Sequence, residues 1–169
     1  MLGRPKVALM DNSSLAFMHE LSQRSYPSDG ILSVYDLILI PKWVMEEIED
    51  STYRSTYVEQ LQAQGYPIRW IDETKYGTFV NDEDVNLYYI VEAAVSRVSE
   101  LMRFLRRKVK TEDLIDLPSA EEWMNRLYDE WPIHGRTLST GRTLKKNAGE
   151  ISLTILLKYS RGIMMEWTA

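Results

Sequence analysis

Three acidic residues occupy positions from which an α/β sheet can gather carboxylates around a metal ion. Asp11 ends the apolar segment 6–11, which places it at the carboxyl end of a predicted first strand, the usual ligand position in an open α/β sheet. Glu47 lies in the helix predicted after a second strand, and Glu150 opens a helix near the end of the chain. Gathered carboxylates repel one another unless a cation joins them, and oxygen ligands favour Mg²⁺ or Mn²⁺ over zinc.

The spacing of apolar neighbours predicts which way two of these acids face. Glu47 is three residues after Val44 and adjacent to Ile48, so it borders the buried side of its helix. Glu150 is followed at helical spacing by apolar residues up to Leu157. This spacing predicts that Glu150 shares the inward face of its helix.

The sequence offers a fourth candidate acid, and each of the first three acids also has a simpler structural interpretation. Glu166 lies at the end of the predicted last strand and is a further candidate metal ligand. Asp11 can instead begin a helix as its N-terminal cap, and Glu47 can be a solvated helix residue. Glu150 can complement the positive N-terminus of its helix. The residues alone leave both interpretations of each acid open.

The elements that must position these acids alternate along the first half of the chain. Buried strands are predicted at residues 6–11 and 37–40, and a third strand at 68–71. Apolar residues at helical spacing lie between them, as one helix in the first connection and as one long or two short helices in the second. Pro41 ends the second strand and suits the first turn of a helix. Strands that alternate with helices predict an α/β fold with a parallel sheet and right-handed crossovers.

The middle of the chain is predicted to be helical. A long periodic run begins with three acids, which suit a helix start, and extends to about Lys110 as one helix. After a break at 113–118, Ser119 and Glu122 fit a capping box that opens a second helix. We therefore predict a helical insertion at about residues 82–131.

The remainder is predicted to be a polar loop, a helix and a strand. Residues 132–146 hold glycine, serine and threonine but few large apolar side chains, which indicates a long loop. An apolar helix is predicted at 149–159 and a last strand at 162–167. No linker separates these segments, so we expect a single domain over residues 1–169.

The composition excludes several classes of protein. The chain has 169 residues, with 25 acidic and 20 basic side chains and a formal net charge of −5. It has no cysteine, which excludes disulfide scaffolds, Cys-ligated zinc and thiol catalysis. A negative net charge is untypical of proteins that coat nucleic acid through bulk charge. No apolar run approaches the ~20 residues of a membrane span or resembles a signal peptide, so we expect a cytoplasmic protein with no membrane partner.

Basic residues are nevertheless concentrated in two segments. Between residues 97 and 110 they repeat at spacings of three and four, which forms a stripe along a helix, and a second group lies in the predicted loop. Both groups are candidate contacts for RNA or an acidic partner, and a solvated helix face is the alternative. The candidate RNA-binding residues are Arg103, Arg106, Arg107, Lys110, Arg136, Arg142, Lys145 and Lys146.

Three segments carry a resemblance to a known family: VALMDNSSL at 7–15, LILIPKWVMEE at 37–47 and NAGEISL at 147–153. They are an apolar strand that ends in Asp, an apolar segment followed by Pro and Val-x-x-Glu, and Gly-Glu at a helix start. In this order they resemble the acidic motifs of the PIN-domain family, over roughly 6–72 and 147–167. That family's last strand usually ends in an Asp-rich stretch, where this chain has Glu166. We therefore expect a divergent or C-terminally shortened member.

The resemblance implies both a fold and an activity. The fold is a three-layer α/β arrangement with a central parallel sheet flanked by helices, here with an enlarged helical middle region. The implied activity is hydrolysis of single-stranded or loop RNA, with Asp11, Glu47 and Glu150 as catalytic acids that bind Mg²⁺ or Mn²⁺. Glu166 is then a further metal ligand. Members of the family can be toxins of toxin–antitoxin pairs and can form homodimers. The alternative is a catalytically inactive PIN-like module that binds or regulates.

Overall fold

A computed structural model describes residues 5–26, 28–79, 84–108 and 119–166 of the chain. The chain divides into two compact units, Met1–Ile71 and Asp72–Ala169. Each unit has buried apolar residues of its own, such as Ile38 in the first and Leu101 in the second. The assignment of a single domain stays a prediction. Within the described ranges, every helix is too short or too polar to cross a bilayer.

The first unit is built on a parallel sheet of three strands. These are β1 (Val7–Leu9), β2 (Leu37–Pro41) and β3 (Ile68–Ile71), in the order β1-β2-β3. Ala8 pairs with Ile38, and Ile38 pairs with Ile68. Strand β2 is the most buried, with Ile38 0% exposed, whereas Val7 of β1 is 46% exposed, so the prediction that the first strand is buried is wrong. The strand pairing confirms the predicted parallel α/β arrangement in this unit.

Three α-helices of the first unit connect and cover the strands. They are α1 (Asn12–Gln23), α2 (Lys42–Ile48) and α3 (Thr52–Ala63), and a 3₁₀ helix spans Ser28–Val34. Each helix buries an apolar stripe, for example Leu15 and Met18 in α1. The second connection consists of two short helices because Ser51 caps a new one, its hydroxyl accepting a hydrogen bond from the Arg54 N–H at 3.4 Å.

The second unit is mainly helical, as predicted. After a 3₁₀ helix at Glu73–Phe79 come α4 (Asp84–Val95), α5 (Ser99–Lys108), α6 (Ala120–Asp129) and α7 (Ala148–Glu166). The Ser119 hydroxyl accepts a hydrogen bond from the Glu122 N–H at 3.4 Å, which confirms the predicted start of α6. Helix α4 contacts α7, α5 and α6, so the helices share one apolar core.

The prediction of one long helix up to about Lys110 is wrong, because the chain forms α4 and α5 with a break between them. At the break the Ser96 hydroxyl donates to the Ala93 carbonyl at 2.8 Å, and the Val98 N–H donates to the Val95 carbonyl at 2.9 Å. Serine side chains compete in this way with the helical hydrogen bonds of the backbone. Lys110 and the break predicted at 113–118 lie outside the described residues.

The predicted polar loop 132–146 is an antiparallel hairpin. Strand β4 (His134–Thr137) pairs with β5 (Thr143–Lys145). In the turn between them the Leu138 N–H donates to the Arg142 carbonyl at 2.7 Å, and Gly141 takes a φ of +83°. Glycine meets no steric penalty at that angle. Backbone pairing therefore orders a segment whose side chains are mostly exposed and show no apolar alternation.

The predicted last strand at 162–167 is also wrong, since α7 continues as a helix through Glu166. A short apolar run does not distinguish a strand from a buried helix, because both tolerate continuous apolar residues. Gly162 disfavours a helix by only about 1 kcal/mol relative to alanine, which a helix of this length can offset. Trp167 lies outside the described residues.

Candidate functional site

Asp11 lies at the carboxyl end of β1, as predicted, and also caps α1. Its Oδ1 accepts a hydrogen bond from the Ser14 N–H at 2.7 Å, and its backbone is extended, with φ −98° and ψ 169°. The Met10 N–H donates to the Leu39 carbonyl at 3.0 Å, so the pairing of β1 with β2 reaches the residue before Asp11. The cap uses Oδ1 and not Oδ2. Because a carboxylate has about four lone-pair sites, capping and metal binding are compatible.

Glu47 lies in the same unit on α2, which leaves directly from the carboxyl end of β2. The N-cap of α2 is Pro41, the last residue of that strand. Since the carboxyl ends of parallel strands meet at one edge of a sheet, Asp11 and the start of α2 share this edge. Helices α1 and α2 also contact each other. Glu47 is half-buried, which fits its predicted position at the border of the apolar face.

Glu150 does not face inward, so that expectation is wrong. It is exposed in the first turn of α7. The buried residues of this part of the helix instead include Ile151, Ser152 and Ile155, whereas Leu157 is 44% exposed. The apolar face is thus offset by one residue from the predicted one, and one residue turns a helix by about 100°. The position of Glu150 agrees with the simpler interpretation, an acid that complements the helix N-terminus.

Glu166 is the last residue of α7, and its side chain lies outside the described part of the chain. Among the described residues, no group of three or more His, Asp or Glu side chains is placed to hold a metal ion. Asp11 and Glu47 are the candidate acids of the first unit, one after β1 and the other in the last turn of α2. Mg²⁺ is commonly bound by one or two carboxylates together with waters and substrate phosphates, so two acids are enough for such a site.

The basic stripe is exposed on α5, where the sequence predicts it. Arg103, Arg106 and Arg107 are all exposed, but Arg106 pairs with Glu92 at 3.4 Å. Exposed ion pairs of this kind contribute little to stability. Such pairing reduces the charge available to a polyanion, so Arg103 and Arg107 are the more accessible cations of the stripe.

The second basic group is distributed over the hairpin. Arg136, Arg142 and Lys146 are exposed, whereas the Lys145 ammonium lies 4.0 Å from the centre of the Tyr128 ring. This contact is a cation–π interaction that fixes the lysine against α6. The RNA-binding role of both groups stays a prediction.

Sequence reasoning missed a buried polar network in the second unit. The Ser152 hydroxyl donates to Glu73 Oε1 at 2.6 Å, and with that proton in use the Tyr76 hydroxyl donates to Ser152 Oγ at 2.9 Å. Glu73 and Ser152 are 0% exposed, and Tyr76 is 1% exposed. The network joins the 3₁₀ helix 73–79 to α7, and its only sequence signal is a serine within an apolar helix.

Burial and the neighbouring Glu73 carboxyl raise the pKa of Tyr76 well above its ordinary value of 10.0. Above that pH the unfolded chain loses the tyrosine proton while the folded chain keeps it. The stabilisation is therefore complete below about pH 10 and is lost as the pH rises towards the folded-state pKa. We expect urea denaturation to show this alkaline loss, and Tyr76→Phe to reduce it. Tyr26→Phe, which changes an exposed tyrosine, is the control. If the free energy of unfolding fell equally with pH in both variants, Tyr76 would not be the source of the alkaline loss.

Compared with models of protein families, with curated proteins and with solved structures, the chain shows no significant match to any of them.

Proposed function

We propose that the chain is a PIN-like, metal-dependent endoribonuclease that cleaves single-stranded or loop RNA. One observation carries this proposal: Asp11 follows the carboxyl end of β1, at the edge of the parallel sheet from which α2, the helix that holds Glu47, departs. This edge is where open α/β sheets place their ligands. The resemblance of the two segments around these acids to the family's motifs supports the same assignment.

In this proposal Asp11 and Glu47 hold Mg²⁺ or Mn²⁺ beside the scissile phosphate. The ion, when bound, lowers the pKa of a water and offsets negative charge on the phosphate. Asp11 contributes the oxygen that does not cap α1, and the cap holds the carboxylate in position. No protein nucleophile is required, which suits a chain without cysteine. Glu150 and Glu166 enter only through the resemblance, as do an antitoxin partner and a homodimer.

The substrate class follows from the basic side chains as well as from the acids. Arg103 and Arg107 on α5, with the arginines of the hairpin, are exposed cations that suit a phosphate backbone. A flexible strand or loop can bring both its bases and its backbone to a site, which a regular RNA duplex does not. We therefore propose unpaired RNA as the substrate.

A second candidate function is favoured by a specific observation. Glu150 is exposed, and the segment that ends in Glu166 is helical rather than a strand. The third and fourth acidic motifs thus depart from the pattern that the resemblance implies. A PIN-like module that binds RNA without cleaving it would keep the basic surfaces and would not need these acids.

One assay distinguishes the two functions. The full chain is incubated with a mixed pool of unpaired RNA in Mn²⁺, in Mg²⁺ and in EDTA, with duplex RNA as the comparison substrate. The nuclease proposal predicts cleavage of the unpaired pool in the presence of metal only. Binding without cleavage in either metal would favour the module, and neither binding nor cleavage would overturn both.

A further inference from the structure

A solvent-open cleft lies between α1 and α3 of the first unit, away from the capping end of α1. Its volume is about 560 Å³, within the range of about 300–1,000 Å³ typical of small-molecule sites. The residues that line it are Ala16, His19, Gln23, Ser51, Tyr53 and Arg54. This lining combines several hydrogen-bond donors with one large aromatic ring, and it contains no acid.

Arg54 is the residue that points to an anionic ligand. Its side chain is half-buried, and its Nε is buried without a hydrogen-bond partner among the described residues. Within that same part of the chain, the guanidinium forms no ion pair with a carboxylate. A partly desolvated charge without a counter-charge is unfavourable, and an anion in the cleft near the guanidinium would supply the missing counter-charge.

The position of Arg54 in α3 is unfavourable for a second reason. It lies in the first turn of this twelve-residue helix, where no acidic residue is present. The N-terminus of a helix carries partial positive charge, so an arginine there is repelled and an anion is attracted. Local rules of this kind are commonly broken at functional sites. An anion beside Arg54 would interact favourably with both the side chain and the helix terminus.

The remaining lining residues indicate what kind of anion fits. His19 and Gln23 are one turn apart on α1, with their Nε2 atoms 3.2 Å apart, and the Tyr57 ring packs against His19 at 5.1 Å between centres. The Gln23 amide nitrogen can only donate, so His19 Nε2 accepts in this contact, and the second N–H of Gln23 can donate to an acceptor oxygen such as that of a phosphate. Tyr53 is 76% exposed, so its ring is accessible for stacking against a base.

We propose that this cleft binds a nucleotide, with its phosphate at Arg54 and Gln23 and its base against Tyr53. The shared chemistry is a phosphate linked to a nucleoside, either as a free mononucleotide or within an RNA strand. The proposal goes beyond the nuclease function and does not depend on it, since neither Asp11 nor Glu47 lines the cleft.

The test is a titration of the ¹⁵N-labelled full chain, followed by NMR in EDTA so that metal binding plays no part. The ligands are adenosine 5′-monophosphate, inorganic phosphate, adenosine, and a short oligoadenylate without terminal phosphates. We expect saturable shifts in the amides of α1 and of the first turn of α3, with the monophosphate binding more tightly than inorganic phosphate and adenosine weakest. Saturable binding of the oligoadenylate would identify the ligand as a nucleotide within an RNA strand. Failure of the oligoadenylate to bind would identify the ligand as a free mononucleotide.

Variants assign the binding to individual residues. Arg54→Gln is expected to weaken the monophosphate at least about tenfold, because it removes a charge-assisted contact. Tyr53→Ala should weaken the monophosphate but not inorganic phosphate. Arg69→Gln, which changes an exposed arginine of β3 outside the cleft, is the matched control. Amide spectra of each variant verify the fold.

A Tm measurement gives a second readout that a purely structural role of Arg54 would not produce. Without ligand, Arg54→Gln should be at least as stable as the wild type, because it removes a repelled and partly buried charge. With saturating monophosphate the wild type and the control should gain more stability than Arg54→Gln. Equal affinity in Arg54→Gln and the wild type, or no saturable binding by the wild type, would overturn the proposal.

Discussion

Asp11→Asn and Asp11→Ser are expected to lower metal-dependent RNA cleavage about 100-fold or more, while the folded state keeps its stability. Asn and Ser cap helices about as well as Asp, so the hydrogen bond from the Ser14 N–H should survive. Neither side chain carries the negative charge that holds a divalent cation. The two roles of Asp11 can therefore be separated by choice of substituent.

Asp11→Ala completes the comparison, because it removes the cap as well as the charge. It should cost about 1 kcal/mol of stability, equivalent to about 2–4 °C in Tm, in addition to the loss of cleavage. Glu20→Gln, which changes an exposed acid of α1 that pairs with Arg24, is the control for loss of negative charge. Cleavage rates and Tm are measured for all four variants. Full activity in Asp11→Asn would mean that Asp11 is only a helix cap.

Ser152→Ala is expected to destabilise the protein by about 2 kcal/mol, which corresponds to about 4–8 °C in Tm. The serine hydroxyl is fully buried and joins the Glu73 carboxyl to the Tyr76 hydroxyl, at 2.6 and 2.9 Å. Alanine fits the space but offers no polar atom, so Glu73 Oε1 and the Tyr76 hydroxyl lose their hydrogen bonds to Ser152. Buried polar groups that lose a hydrogen bond are costly in a low-dielectric core, where no water replaces the lost contact.

The matched control for Ser152→Ala is Thr154→Ala in the same helix. The Thr154 hydroxyl is half-buried and donates to the Glu150 carbonyl at 2.8 Å, a local contact within the helix. Its loss should change the free energy of unfolding by no more than about 0.5 kcal/mol. Urea denaturation of both variants measures this free energy of unfolding. If the two differ little, the buried network does not stabilise the second unit.

The parallel sheet of the first unit could be predicted because short-range signals define each strand. Residues 68–71 are apolar at both ends and are followed by Asp72, and residues 37–40 lead into Pro41, the last residue of β2, which lacks an N–H for further strand pairing. The hairpin at 134–145 gave no such signal. Its strands hold polar residues exposed to solvent, and their order comes from backbone hydrogen bonds and the turn at Gly141.

The candidate site was predictable in part for the same reason. The place of Asp11 follows from the end of β1, which a short apolar run defines. The face of Glu150 depends on helical phase, and an error of one residue was enough to turn it from buried to exposed. The network of Glu73, Tyr76 and Ser152 joins residues up to 79 positions apart, a contact that only the tertiary fold creates.

The metal site is tested most directly by titrating Mn²⁺ into the ¹⁵N-labelled full chain and following paramagnetic broadening by NMR. The proposal predicts that the amides around Asp11 and Glu47 broaden first and saturably, and that Asp11→Asn abolishes this effect. Mg²⁺ should compete for the same site and restore the signals. Broadening confined to other acids, or a pattern at Asp11 that is unchanged in Asp11→Asn, would contradict the proposal that this edge of the sheet binds the catalytic metal.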